Sequence, residues 1–411
     1  MSMEPTGLME PMMPADSHAE LDDLVIDLVQ KASALASQLH PVVQHSVGNL
    51  VRSMNCYYSN LIEGHDTHPW DIERALAKDY ANEPEKRNLQ LEAVAHIEVQ
   101  KMIDEGRALE VYPTTEEYVL WLHREFCTRL PEAMLWVENP DTGERIPVIP
   151  GMMRDRSVRV GYHVPPEPEN LPQFMQRFAE AYAPQRLSKS RRIIVAAASH
   201  HRLLWIHPFF DGNGRVTRLM SYAILMWENV GSSLWSVARG LARNVQEYKR
   251  LLMGADLRRR NDLDGRGTLS ESAFVEFCTF FLQVCIDQID YMGTLLRLSE
   301  LSHRMQLHIE EETRAGRLPK GSYALLREAL LAGEVERGRA PALTGYKERM
   351  ARHVVSELLK KGLLVSESQR DPVRLAFPLA VVERWFPGLY PTTAFRILSQ
   401  ATAGAQPVVP A

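Results

Sequence analysis

The chain has 411 residues, 45% of them hydrophobic and 24% charged, and a formal net charge of −5. That length allows two or three domains around a sizeable core, and the net negative charge excludes a chain devoted as a whole to nucleic acid, though not a local basic face. Cys56, Cys127, Cys278 and Cys285 are dispersed with no C-x-x-C pair, which argues against a zinc site or disulfide framework and for reduced thiols in a cytoplasmic protein.

Residues 1–18 are rich in Met and Pro, with Glu4, Glu10 and Asp16. They lack the basic region and apolar run of a secretory signal and are expected to be a disordered tail. No apolar run in the chain is expected to reach the length of a membrane span, so no membrane partner is expected. Leu21, Leu24, Val25, Leu28 and Val29 recur at helical spacing and predict a helix to about Leu39. A second helix follows Pro41, from Val42 to about Ile62, and ends in Ser59-Asn60-Leu61-Ile62-Glu63-Gly64 with Gly64 as its cap. Glu63 there faces the negative end of the helix dipole, which is unfavourable unless a cation compensates it. Taken locally, Glu63 reads as a solvated side chain with a small penalty.

Helices are predicted over Asp71–Tyr80, Lys86–Asp104 and Thr115–Leu130. His123 lies on an amphipathic helix and reads as a packed core residue. Between Trp136 and Pro168 the helical pattern fails, punctuated by Gly143, Pro147, Pro150 and Gly151, and Val158-Arg159-Val160 alternates as a short strand does. Leu171–Ala183 and Ser188–Leu204 return to helix, the second apolar enough to be a buried central helix. His200 and His201 do not stack with His207 at the i, i+4 spacing of paired ligands and read as packing or hydrogen-bonding residues.

Then comes His207-Pro208-Phe209-Phe210-Asp211-Gly212-Asn213-Gly214-Arg215-Val216-Thr217-Arg218. Gly212 and Gly214 permit positive φ, so successive N–H groups can line one concavity that holds an anion. The apolar run from Val216 to Trp227 predicts a helix starting at that turn, whose free N–H groups and dipole point at the same place. Arg215 and Arg218, three apart in its first turn, share a face. Two guanidinium forks, a helix N-terminus and a Gly nest make a polyphosphate cradle. Asp211 can hold Mg²⁺ against the phosphates, and His207 is placed as a base for an incoming hydroxyl. The residues alone point to nucleotide-dependent group transfer.

Beyond it, Tyr248 opens another helical run. Asp262, Asp264 and Glu271 fall at calcium-loop spacing, but Arg260 occupies the first ligand position, so a polar turn capped by Asp and Gly is preferred. Phe274–Glu311 is predicted helical. From Gly316 the pattern changes to a helix at Tyr323–Leu331, another at Glu334–Arg339, a third capped by Thr344 and running to Lys361, and short strands at Leu363–Ser366 and Arg374–Phe377. This order resembles a winged helix-turn-helix. Its third helix carries Lys347, Arg349, Arg352, Lys360 and Lys361 against Glu348 and Glu357, so it could serve DNA or protein contact equally.

The stretch from His207 to Arg218 resembles the Fic family motif, H-P-F-x-D-G-N-G-R-x-x-R, at every fixed position. The resemblance implies a mainly α fold, a helical Fic core with a small β-hairpin flap. It further implies a protein adenylyltransferase that transfers AMP from ATP to a protein Ser, Thr or Tyr hydroxyl, auto-AMPylation included. By the same resemblance His207 is the general base, Asp211 binds Mg²⁺, and Asn213 with the backbone at Gly212 and Gly214 steadies the α-phosphate. Arg215 holds the distal phosphates and Arg218 the γ-phosphate. Phe209 anchors the loop, and Tyr248 either lines the adenine pocket or is a core aromatic. Gly214 argues against the phosphotransferring branch, which carries Lys there.

Ser59, Glu63 and Gly64 fit the family's inhibitory pattern S/T-x-x-x-E-G/N, which implies that Glu63 pairs with Arg218 and blocks productive ATP binding. The stretch from Gly151 to Gly161 resembles the target-binding flap, with Val158 and Val160 on its strand, or is an ordinary surface hairpin. The expected division is a tail (1–18), an N-terminal helical region (19–110), the Fic core (111–290), a helical linker (291–315), the winged helix (316–395) and a loose tail (396–411). Two alternatives stay open: AMP removal with Glu63 positioning a water, and a DNA-binding regulator with a nucleotide-sensing core. The target and the oligomeric state, a homodimer included, are left open.

Overall fold

The computed structural model describes residues 4–139 and 142–391. The chain divides into two units, one of Met1–Ala36, Asn55–Thr67 and Arg74–Tyr291, the other of Ser37–Met54, His68–Glu73 and Met292–Ala411. The loose tail expected after residue 396 lies outside the described residues.

Helices α1 (Ala19–Ala36), α2 (Pro41–Ile62), α3 (Pro69–Leu76), α4 (Pro84–Asp104) and α5 (Glu116–Cys127) lead into a hairpin of β1 (Trp136–Glu138) and β2 (Arg145–Pro147). After it come α6 (Leu171–Ala181), α7 (Lys189–Ile206), α8 (Asn213–Trp227), α9 (Val237–Arg243), α10 (Val245–Ala255) and α11 (Glu271–Leu296). The chain is mainly α, as expected. Helix α7 is the centre of the first unit: Ile194 to Ala198 are fully buried, and α1, α6 and α8 pack on it, α8 most extensively. Ser188 caps its start by accepting from the Arg191 N–H. Its end falls at His207, because Pro208 disfavours helical φ/ψ in the residue before it. His207 instead adopts the left-handed region, φ 50°, while its N–H still donates to the Leu203 carbonyl at 2.9 Å.

Helix α11 is long and apolar enough to cross a membrane by length and composition, where the sequence reading expects no such run. Its Phe274, Phe277, Cys278, Phe281, Leu282 and Cys285 are fully buried, the pattern of a core helix.

Two expectations for this unit are corrected. Residues 4–18 are a packed strap, not a disordered tail. Met9 and Met12 are buried, and the Arg202 Nε–H and Nη2–H donate to the Pro11 carbonyl at 3.0 and 2.8 Å. The Tyr182 hydroxyl donates to the Met12 carbonyl at 2.7 Å, and the Leu269 N–H to Glu10 O at 2.8 Å. Composition misses this because the strap satisfies buried donors of distant helices. Second, the hairpin of this region is β1–β2, with Val137 opposite Ile146, and not the stretch from Gly151 to Gly161. There Val158 and Arg159 are in no strand, and a lone bridge from Val160 to His163 closes a two-residue turn on Gly161 and Tyr162. Asp264, in the calcium-like loop, accepts from the backbone N–H groups of Arg260 and Ser272 at 3.0 and 2.9 Å, which holds its carboxyl down to about 2 despite the opposing cost of burial.

The second unit carries α12 (Leu298–Arg314), α13 (Ser322–Ala332), β3 (Glu334–Val335), α14 (Ala340–Thr344), α15 (Glu348–Lys360), β4 (Leu364–Val365), β5 (Val373–Leu375) and α16 (Leu379–Trp385). Its strands form one antiparallel sheet in the order β3-β5-β4. Phe274–Glu311 is two helices, not one, broken at Arg297, whose ψ of 119° is not helical. Residues 334–339 start as a strand rather than a helix. Thr344 ends α14, and the third helix begins at Glu348 with Lys347 at its cap position. Fully buried Trp385 donates from its indole N–H to His308 Nδ1 at 3.0 Å and packs α16 on α12.

Candidate active site

The loop between α7 and α8 is closed by its own side chains. The Phe209 N–H donates to Asn213 Oδ1 at 3.0 Å, and the Asn213 Nδ2–H returns to the Phe209 carbonyl at 2.8 Å. The Asn213 amide thus closes the loop with its oxygen and one N–H, which leaves its second N–H for a ligand. Fully buried Phe209 stacks on the His123 ring, with centroids 3.8 Å apart and planes within 2°. His123 also accepts from the Gly151 N–H at 2.9 Å. It thus does more than fill the core: it seats the motif loop. Gly212, φ 81°, supplies the left-handed residue from which α8 starts.

His207 opens into a cavity of about 570 Å³ lined also by Glu63, Val160, His163, Gly214, Arg218, Tyr248, Lys249 and Met253. Burial, then the charges of Arg154 and His163, pushes its pKa down to about 4, well below the ordinary imidazole value. At neutral pH the ring is an uncharged proton acceptor. Arg154, itself buried, fixes it from behind: its Nε–H donates to the His207 carbonyl at 2.9 Å, its Nη1–H to Arg156 O at 2.9 Å, and its Nη2–H to Pro166 O. Burial lowers the Arg154 guanidinium to about 10.

Tyr248 is buried yet reaches the cavity wall. Its hydroxyl meets His200 Nε2 at 2.7 Å. Ser221 donates to the Ala196 carbonyl at 3.2 Å and meets His200 Nδ1 at 2.9 Å. His200 therefore carries its proton on Nδ1 and accepts from Tyr248, a neutral ring that burial holds well below its ordinary pKa.

The structure brings Glu63 to Arg218 across 155 positions. Glu63 Oε1 accepts from Arg218 Nη2–H at 2.5 Å, while Ser59 takes the Nε–H on its hydroxyl at 2.9 Å and Nη2–H on its carbonyl at 3.1 Å. Burial opposes ionisation of Glu63, but Arg218, with Arg215 and His65, outweighs it and leaves the carboxyl below its ordinary value. Gly214 makes the approach feasible, since a Cβ there would fall on the Glu63 carboxylate.

Arg215, unlike Arg218, does not line the cavity. Its Nη2–H groups contact both Asp211 oxygens at 3.1 and 2.9 Å, and its Nη1–H donates to Glu92 Oε1. Asp211, partly exposed, has its carboxyl raised by burial and by Glu63, against the pull of the Gly212 N–H. Arg154, Glu92 and His65 went unnoticed in the sequence. Arg154 sits in an ordinary polar loop, and Glu92 on a helix reads as one more solvated charge; neither carries a local signal. Val160 lines the cavity and Val158 does not.

Residues 113–225 match a family model described as Fic/DOC family. A protein of Nematostella vectensis named protein adenylyltransferase Fic is 33% identical over 175 residues, which cover 41% of this chain and 36% of that protein. One of the same name from Drosophila ananassae is 42% identical over 80 residues, 20% of this chain and 16% of its own length. The matched stretches thus span well under half of these curated relatives. The crystal structure of a Fic family protein from Desulfovibrio desulfuricans G20 shares the fold with a TM-score of 0.51 at 16% identity, covering 89% of this chain and 98% of that one. The motif loop, the helix that starts from it and the segment before it thus lie in the stretch, residues 113–225, that matches the Fic/DOC family.

Proposed function

We propose that the chain is a self-restrained protein adenylyltransferase that moves AMP from ATP to a Ser, Thr or Tyr hydroxyl, on itself as well as on a target protein. One observation carries this reading: a neutral His207 imidazole shares a cavity with Gly214 at the start of α8 and with Arg218. The relatives' names support the same activity.

In this reaction His207 takes the proton of the target hydroxyl. The hydroxyl oxygen bonds to the α-phosphorus, the bond from that phosphorus to the bridging oxygen breaks, and pyrophosphate leaves with the electron pair. Charge growing on the α-phosphate is answered by backbone N–H groups at the start of α8. Arg215 and Arg218 hold the distal phosphates once Asp211 and Glu63 respectively release them. Among the described residues no cluster of three or more His, Cys, Asp or Glu is arranged to hold a metal. A lone carboxylate nevertheless suits Mg²⁺, which takes one or two protein carboxylates and completes its shell with phosphate oxygens and water. Asp211 would be that ligand, and the ion would neutralise phosphate charge when bound.

The restraint rests on competition. Glu63 holds the guanidinium that a γ-phosphate needs, so ATP must displace a charge-assisted hydrogen bond of 2.5 Å to bind productively. The test uses wild type, Glu63→Gly, and Glu63→Gly with His207→Ala, each with Mg²⁺ and ATP labelled at the α- or γ-phosphate, with and without cell lysate. Label from the α position, strong only in the single variant, supports adenylylation, restraint and base together. Label from the γ position overturns the nucleotide orientation. No label moves the reading to AMP removal or to nucleotide sensing.

The C-terminal unit supports a second role. Its order of helix, strand, helix, helix, strand, strand, with a three-stranded antiparallel sheet, supports reading it as a winged helix-turn-helix. Lys347, Arg349 and His353 are exposed on and before α15. Reversing the charge of Lys347 and Arg349 should abolish DNA retention without changing transfer, if DNA is the partner.

A further inference from the structure

Arg215 is 4% exposed and Glu92 is fully buried, and they lie 123 positions apart. A buried carboxylate is stable only when its oxygens are answered. Glu92 has both answered: Oε1 takes the Arg215 Nη1–H, and Oε2 lies 2.8 Å from His65 Nδ1. His65 directly follows Gly64, the end of the segment that carries Glu63, so one carboxylate joins that segment to the motif arginine. Phe126 lies under the Arg215 guanidinium, 5.1 Å from ring centroid to Cζ. Arg215 Nε is buried with no hydrogen-bond partner among the described residues. The guanidinium is thus held along one edge, while Nη2 alone faces Asp211.

We propose that Glu92 is the positioning residue for Arg215: it fixes the Nη1 edge, backed by His65, so that Nη2 can exchange between Asp211 and a distal phosphate without the side chain collapsing. Without Glu92, both nitrogens are free to fork onto Asp211, the carboxylate already in contact with Nη2, and that bidentate pair withholds Arg215 from phosphate. Glu92 touches neither substrate nor reacting atoms; it acts through Arg215. The inference rests on the reading of the cavity as an ATP site.

The experiment measures binding by the full chain carrying Glu63→Gly, by calorimetry with Mg²⁺, of ATP and of AMP separately. AMP lacks the phosphates that Arg215 would hold, so it reports the integrity of the rest of the site. Glu92→Ala should weaken ATP roughly tenfold and AMP by less than about twofold. Glu92→Gln keeps an oxygen acceptor for Nη1 and should weaken ATP only about threefold, and it decides the matter should the alanine variant fail to fold. His65→Ala, which removes the support for Oε2, should act in the same direction and less than Glu92→Ala. Equal losses for both nucleotides would mean a merely structural role and overturn the proposal. So would unchanged or tighter ATP binding, the latter making Glu92 a competitor for Arg215. If the parent chain binds neither nucleotide, the ATP-site reading falls and this inference with it; an unchanged ratio in a chain that binds both defeats this inference alone.

Discussion

Arg154 and His207 are joined by a hydrogen bond of 2.9 Å from the arginine Nε–H to the histidine carbonyl, 53 positions away. The bond holds a non-glycine residue in the left-handed region, where backbone is costly and persists only when its surroundings over-determine it. The same guanidinium ties down Arg156 and Pro166, so one buried side chain sets both His207 and the loop at the cavity edge.

Arg154→Ala should therefore cut AMP transfer by Glu63→Gly at least tenfold and cost roughly 3 kcal/mol of stability, since several hydrogen bonds from a charged donor are lost and their carbonyls left unanswered. Arg154→Lys offers one ammonium in place of a planar fork and should recover little. Urea unfolding and initial rates read both effects. Full activity in Arg154→Ala would remove the residue from the site.

The pH profile gives a second check. With the His207 ring near 4, kcat/KM of Glu63→Gly should stay flat from pH 8 to about 5 and fall only below that, rather than turning near the ordinary imidazole value. Arg154→Gln removes a charge that depresses the ring and should move the acid limb upward. A limb near 6.5 in the parent would contradict the burial of His207 described above.

Stability should fall in mild acid. Burial drives His96 to about 3 and His123 to about 4, while both titrate near 6.5 when unfolded. Between those values the unfolded chain binds more protons than the folded one, so unfolding free energy rises with pH, by up to about 1.4 kcal/mol per unit for each ring. The contribution is complete above 6.5 and lost progressively as pH falls toward 4. Neither nitrogen of His96 has a hydrogen-bond partner among the described residues, so His96→Leu should cost little at pH 7 and flatten the acid slope. Thermal melts at pH 7, 6 and 5 test this, and an unchanged slope in the variant would exclude His96 as a source.

The N-terminal strap is the fourth expectation. Met9 and Met12 are buried, and each truncation to Ala should lower stability by about 2–4 kcal/mol. Tyr182→Phe removes the donor to Met12 O and should cost about 1 kcal/mol. If the two methionine variants melt with the parent, the strap contributes nothing to the fold.

Much of this protein was legible before its structure. Twelve consecutive residues contain a turn with two glycines, a helix start, a carboxylate, an imidazole and two arginines on one face, and such an arrangement depends on local backbone geometry alone. Helix periods are equally local, which is why α4, α6 and α7 lie within a few residues of their predicted spans. The Glu63–Arg218 pair was reached only because a six-residue pattern resembled a family signature. Nothing in one dimension paired Arg215 with Glu92, gave His207 its depressed pKa, or made residues 4–18 a strap. Each of those depends on which side chains meet after more than 50 intervening residues have been packed, and on how much water that packing removes. Short-range spacing records backbone preference, whereas partner choice and desolvation are properties of the assembled core.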